Sequence, residues 1–345
     1  MKYMKPQKLK RGDKVAILSP SWGGPSMFPK IYEKGLENLR ELGLQIKEYP
    51  TARADAKYLY ENPKARAEDV NNAFADNEVK GIISTIGGDD SIRILPYLDK
   101  ETIKNNPKFL LGYSDTTILT TFCNRLGLVT FNGPSIMAGF SQIKAEKESF
   151  KKHLEDFLLK DFTEYKYNPY EYYFNNYPDW KDPLSVGKVS NPIKNTGWRW
   201  LQGSGVVNGE LFGGCIEVLE FLKGTDFWFN TDFWNNKILF FETSEEKPSI
   251  SQVKHMLRNY GMQGVFNKIN AVLFGRARDY SDEEKQQLDE IIMSVVSNEF
   301  GKSDLLIVSN MDFGHTDPQF ILPLGIKAEL SFNDKYFKLL ESAFN

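Results

Sequence analysis

Ser114 sits in a stretch, Phe109-Leu110-Leu111-Gly112-Tyr113-Ser114-Asp115-Thr116-Thr117, whose spacing could make a nucleophile. The apolar run Phe109 to Leu111, behind Pro107, reads as a short buried strand. Ile118, Leu119, Phe122 and Leu126 then recur at helical spacing as far as Gly127. Only a tight turn fits between the two. Such a turn pushes the hydroxyl into the open and aims the first amides of the following helix at the same spot, the geometry of a nucleophile elbow. Gly112 is the small residue two before the serine, whereas Thr116 replaces the second glycine of the usual pattern. An ordinary helix N-cap has the same local signature. The rest of the chain has to decide between them.

A serine nucleophile needs a base, and the chain has 3 histidines. His153, near Phe150, Leu154 and Phe157, and His255, after Pro248, fall on or beside the polar faces of helices and are expected to be solvated and structural. His315 instead follows a buried strand, Leu305–Ser309, in a loop behind Gly314, where functional side chains concentrate. Its imidazole needs an acceptor to fix the tautomer and stabilise the imidazolium. Glu242, at the end of the strand Lys237–Thr243, is the best-placed carboxylate, although a strand-end acid bonded to backbone amides reads the same way. Asp115 and Asp312 compete for the role, but Asp115 adjoins the nucleophile and is poorly placed to reach the far nitrogen of its base. The order Ser114, Glu242, His315 is that of the α/β hydrolases, and the long gaps imply a site shared between two domains. No His-x-x-x-His or Cys-x-x-Cys spacing is present, so no metal and no other cofactor is expected.

The elements that must position these residues read as α/β. Strands at Lys14–Pro20, Gln45–Tyr49 and Val79–Ile86 alternate with helical faces at Ile31 to Leu42, Ala65 to Phe74 and Ile92 to Leu98. That alternation predicts a parallel sheet with its site at the strands' carboxyl ends. The turn Gly87-Gly88-Asp89-Asp90 lets a strand end approach a ligand and present an amide beside the elbow. Neither it nor the loop Ser21-Trp22-Gly23-Gly24-Pro25 has phosphate-cradle spacing. From 162 to 204 the composition turns aromatic (Tyr165, Tyr170, Tyr173, Tyr177, Trp180), either packing an ordered excursion or making a stacking wall for a flat ligand. We therefore expect an N-terminal domain over 1–161, the excursion over 162–204 and a C-terminal domain over 205–345.

At 345 residues the chain is long enough for two domains, and its net charge of −3 gives no bias toward nucleic acid or anionic lipid. No apolar run approaches the roughly 20 residues that span a bilayer. The basic amino terminus lacks the apolar segment of a signal peptide. Cys123 and Cys215 read as reduced core thiols, so a cytoplasmic location is expected.

Six motifs in order, Gly87-Gly88-Asp89-Asp90, Gly112-Tyr113-Ser114-Asp115, Phe131-Asn132-Gly133-Pro134, Gly213-Gly214, Phe240-Phe241-Glu242 and Gly314-His315, together resemble the LD-carboxypeptidase family of serine peptidases, from about Leu9 to about Leu330. The resemblance implies a flavodoxin-like parallel-sheet N-terminal domain, a swivelling β/α C-terminal domain and a triad across their cleft. Carried over, Ser114 is the nucleophile, His315 the general base and Glu242 its orienting partner. The backbone amides of Gly88 and Asp115 form the oxyanion hole, and no metal takes part. Family members are typically cytoplasmic homodimers. One branch trims the terminal D-alanine from the murein tetrapeptide. The other resembles the microcin C immunity peptidase and cleaves the amide joining an aminoacyl group to a modified nucleotide. The Gly-Gly-Asp-Asp turn, the aromatic excursion and Asn195-Thr196-Gly197-Trp198 look more like the immunity branch. The implied partner is a small peptide or aminoacyl-nucleotide substrate, not a nucleic-acid polymer or a membrane. Trp180 is the candidate base-stacking residue, and Trp198, Arg199 and Arg276 are further substrate-binding candidates. A non-catalytic binding protein with the same cleft is the reading from another class; the presence of all three triad candidates weighs against it.

Overall fold

The computed structural model describes residues 2–345 and contains two main sheets. The first has the strand order Leu322–Leu324, Thr130–Asn132, Phe109–Gly112, Val79–Ser84, Lys14–Leu18, Gln45–Glu48. Its five N-terminal strands are parallel and run in the doubly wound order 2-1-3-4-5, which is the flavodoxin-like arrangement. Helices cover the strands, so runs such as Val15 to Leu18 and Phe109 to Gly112 are buried along their length. The sixth strand comes from the far end of the chain: Leu322–Leu324 crosses over and pairs antiparallel with Thr130–Asn132.

The second sheet has eight strands. Val206–Cys215, Lys237–Glu242, Ala271–Gly275 and Leu306–Met311 form its parallel centre. Antiparallel strands flank it, and the outermost ones come from the aromatic excursion. Tyr165–Tyr167 pairs with Tyr336–Leu339 on one side, and Arg199–Gln202 with Leu306–Met311 on the other. Residues 162–204 thus span this sheet from edge to edge. Among the described residues, no helix is long and apolar enough to cross a membrane.

One glycine lets the halves meet: a Cβ at Gly214 would lie 2.5 Å from Thr117 Cγ2. The end of Val206–Cys215 therefore packs directly on the helix Thr117–Arg125 that follows Ser114, and the Cys215 amide donates to Thr117 Oγ1 at 3.2 Å. This contact brings the carboxyl ends of both parallel sheets to one cleft.

Candidate active site

Ser114 occupies the turn between Phe109–Gly112 and a short 3-10 segment, Ser114–Thr116, that leads into the helix Thr117–Arg125. Its φ of 57° lies in the left-handed region, which costs a non-glycine residue on the order of 1–2 kcal/mol. Ser114 is not an N-cap, because neither the 3-10 segment nor the helix has a side-chain cap. Gly112 and Gly87 make the turn possible. A Cβ on Gly112 would strike Thr116 at 2.6 Å, and one on Gly87 would lie 2.7 Å from Ser114 Oγ. The Gly87-Gly88 turn is thus pressed against the serine. Asp115 faces away from it and anchors the elbow from beneath: its carboxylate accepts from the Ser91 amide at 2.8 Å, and its carbonyl accepts from Ser91 Oγ at 2.8 Å. Asp90, next in the turn, is clamped by the buried Arg66 through a two-pronged pair at 2.7 and 2.9 Å.

His315 and Glu242 come from the second half. His315 Nδ1 and Glu242 Oε2 are 2.5 Å apart, and the glutamate is wholly buried. Gly275 and Gly314 leave room for that carboxylate; a Cβ at either would lie 3.0 or 2.6 Å from Glu242 Cβ. Burial by itself would lower the imidazole's pKa, but the charges of Glu242 and Glu245 outweigh it and raise it to about 10. Burial acts to raise the Glu242 carboxyl, and the imidazole opposes it. The His315 ring packs beside Tyr113 at 4.9 Å between centroids.

Ser114 and His315 line the same cavity, of about 470 Å³, which the Gly87-Gly88-Asp89 turn, Glu245, Arg278 and Trp180 complete. A larger groove, about 1170 Å³, opens elsewhere around Tyr3, Trp228 and Lys237. It lies at the beginning of Lys237–Glu242, opposite the carboxyl end that carries Glu242, and includes neither Ser114 nor His315.

The structure brings only some of the sequence candidates together. Trp180 lines the cavity, edge-on to Phe28 at 5.5 Å and beside Tyr177 at 5.8 Å. Trp198 does not; its indole donates to Asp312 Oδ2 at 2.8 Å. Arg276 is fully buried against Asp312 at 2.7 Å, with its guanidinium over Tyr173, and Arg199 pairs with Asp289 at 2.9 Å. Arginine in the cavity is Arg278 instead, which lies over the Tyr177 ring at 5.2 Å. Glu245 and Arg278 were missed because both follow strand ends, where side-chain direction depends on the path of the loop. Trp22, from the loop Ser21-Trp22-Gly23-Gly24-Pro25, also stands in the wall.

The expectation of a solvated His153 is corrected. His153 is buried, accepts from the Ile321 amide at 3.0 Å and meets Tyr165 Oη at 2.6 Å. Burial pushes its pKa down to about 3, so it stays neutral and serves as a core hydrogen-bonding group. His255 is exposed.

A strained serine at a strand–helix turn, facing a buried histidine–carboxylate pair across two α/β halves, defines a serine-type carboxypeptidase or amidohydrolase. Residues 15–133 match the LD-carboxypeptidase N-terminal domain and residues 208–330 the LD-carboxypeptidase C-terminal domain, so the chain belongs to the LD-carboxypeptidase family. It is 28% identical to the microcin C7 self-immunity protein MccF of Escherichia coli over 340 residues, covering 96% of this chain and 94% of that one. It is also 28% identical over 338 residues to a Bacillus subtilis protein named "probable murein peptide carboxypeptidase", covering 96% and 92%. The solved structure of MccF with aspartyl sulfamoyl adenosine superposes with a TM-score of 0.87 at 25% identity, covering 99% of this chain and 100% of that one.

Proposed function

We propose that this chain hydrolyses the amide bond of an aminoacyl or peptidyl nucleotide, with Ser114 as nucleophile, His315 as general base and acid, and Glu242 as the acceptor that orients it. The reading is carried by one observation: His315, paired with the buried Glu242 behind it, and the strained Ser114 line a single cavity that also has an aromatic wall at Trp180. Ser114 Oγ attacks the scissile carbonyl carbon as its proton passes to His315 Nε2. The Gly88 and Asp115 amides hold the tetrahedral oxyanion, each contributing roughly 3–4 kcal/mol to the barrier reduction. His315 then protonates the leaving nitrogen, the C–N bond breaks, and water releases the acyl group by the reverse proton route.

In this reading residues 1–161 carry the nucleophile, residues 205–345 its acid and base, and residues 162–204 the wall on which the nucleobase stacks. The similarity to MccF, solved with an aminoacyl sulfamoyl nucleoside, supports the substrate class. The equal identity to the Bacillus subtilis murein peptide relative supports release of D-alanine from a murein tetrapeptide as the second reading. The enzyme is then a cytoplasmic homodimer, and its buried free thiols, Cys123 and Cys215, fit a reducing compartment.

A mass-spectrometric turnover assay with aspartyl sulfamoyl adenosine and murein tetrapeptide side by side tests the reading. Cleavage of the adenosine is the expected result; release of D-alanine alone would transfer the enzyme to wall recycling. Trp180→Ala should weaken the adenosine's KM by about 5- to 100-fold, since stacking contributes roughly 1–3 kcal/mol per base. An unchanged KM would remove Trp180 from the base site.

A further inference from the structure

His315 is held by carboxylates on both sides. Nδ1 meets Glu242 at 2.5 Å, and Nε2 lies 3.0 Å from Glu245 Oε2. The Nδ1 contact is a hydrogen bond and the Nε2 contact an ion-pair approach, and the two carboxylates together favour the doubly protonated imidazolium, which has no lone pair for the Ser114 proton. The two carboxylates differ in their setting. Glu242 is buried at a strand end, whereas the Glu245 side chain is 52% exposed and has no other ion-pair partner among the described residues. The turn that bears Glu245 is fixed at its root, where Glu217 accepts from the Ser244 amide at 2.9 Å and from Ser244 Oγ at 2.7 Å. Backbone anchored and side chain open, Glu245 can leave His315 by rotation of its side chain alone.

A cation entering the cavity competes with the imidazolium for that carboxylate. The other charged or titratable groups around His315 are Asp317, which is buried, Tyr113, which packs on the ring, and Asp89, Tyr177, Glu246 and Arg278 in the cavity wall. Among the described residues, Arg278 is the only lysine or arginine lining the cavity. The Glu245 carboxylate lies 3.0 Å from the nitrogen that must take the Ser114 proton beside the scissile carbonyl, and an α-ammonium is carried on the carbon next to that carbonyl. We propose that Glu245 selects substrates with a free α-ammonium group beside the scissile carbonyl, and that the same carboxylate caps His315 Nε2 until that ammonium displaces it. The proposal rests on the Ser-Glu-His reading above and narrows its substrate class to aminoacyl compounds with an unblocked amine. In a longer peptide the residue before the scissile bond has its α-nitrogen acylated, so it brings no such charge.

The test compares wild type with Glu245→Gln on aspartyl sulfamoyl adenosine and its N-acetyl derivative. Wild type should favour the free amine by about 10- to 100-fold in kcat/KM, the worth of a charge-assisted hydrogen bond. The variant should lose that preference, chiefly through KM. A second readout does not need turnover. With 3 histidines in the chain, the His315 ring nitrogens can be followed by NMR in a Ser114→Ala background. The titration of His315, held up at about 10 by the two carboxylates, should move to lower pH when Glu245→Gln removes one of them. Since kcat/KM reports the free enzyme, its acid limb should move to lower pH in the same variant. An unchanged amine preference, or an unmoved His315 titration, overturns the proposal. Wild-type silence toward both adenosines would instead sink the aminoacyl-nucleotide reading and the ammonium role with it, while the titration would still decide whether Glu245 caps His315.

Discussion

Ser114→Ala is expected to lower amide turnover by about 10⁴- to 10⁶-fold, the loss seen when a triad nucleophile or its base is removed. The variant should fold as the wild type does. Alanine is smaller than serine, Gly87 already leaves the space beside the Cβ, and Ser114 caps no helix whose amides would be stranded. The backbone amides of Gly88 and Asp115 persist, so substrate should still bind and a residual rate above that in water should survive. Matching melting temperatures with collapsed kcat and little change in ligand affinity would be the expected set of results. Turnover retained within tenfold would remove Ser114 from the chemistry and return the cleft to a binding role.

Asp312→Ala is expected to cost about 3–5 kcal/mol of stability, as removing one partner of a buried ion pair does. Asp312 and Arg276 are both fully buried and paired at 2.7 Å. The same carboxylate also accepts from Trp198 Nε1 at 2.8 Å and Asn195 Nδ2 at 3.1 Å. The alanine therefore strands a buried guanidinium and takes the acceptor from two half-buried donors. Removing both charges, as Arg276→Met with Asp312→Leu, should recover most of the loss, because a buried pair gains little net energy over an apolar one. Chemical unfolding of the three proteins checks this. A single variant that unfolds at the wild-type midpoint would show that Arg276 finds another partner or water.

These two residues mark how far local pattern carries. The elbow was legible because strand, turn and helix are adjacent in sequence and report their burial through spacing; Gly112 and Gly87 have the small-residue roles that such a turn needs. Glu242 reads as a strand-end carboxylate and His315 as a loop residue behind a buried strand, and the structure brings the two side chains to 2.5 Å. Arg276 and Arg278 were not separable in the same way. They lie two residues apart, yet one is spent on Asp312 and the other lines the cavity. His153 was misread because its helix packs under an aromatic layer that includes Tyr165 and Phe320, which the helix's own periodicity does not register.

By itself the sequence determined the α/β class, the parallel core and the chemical types that meet in the cleft, since buried strands and tight turns are specified by neighbours a few residues away. Only the tertiary structure decided that Leu322–Leu324 crosses into the first sheet, that residues 162–204 edge the second, and that Glu245 rests on the His315 nitrogen. Each of these is a pairing between segments far apart in the chain, where backbone hydrogen bonds or one side-chain rotamer select a partner and local periodicity is silent.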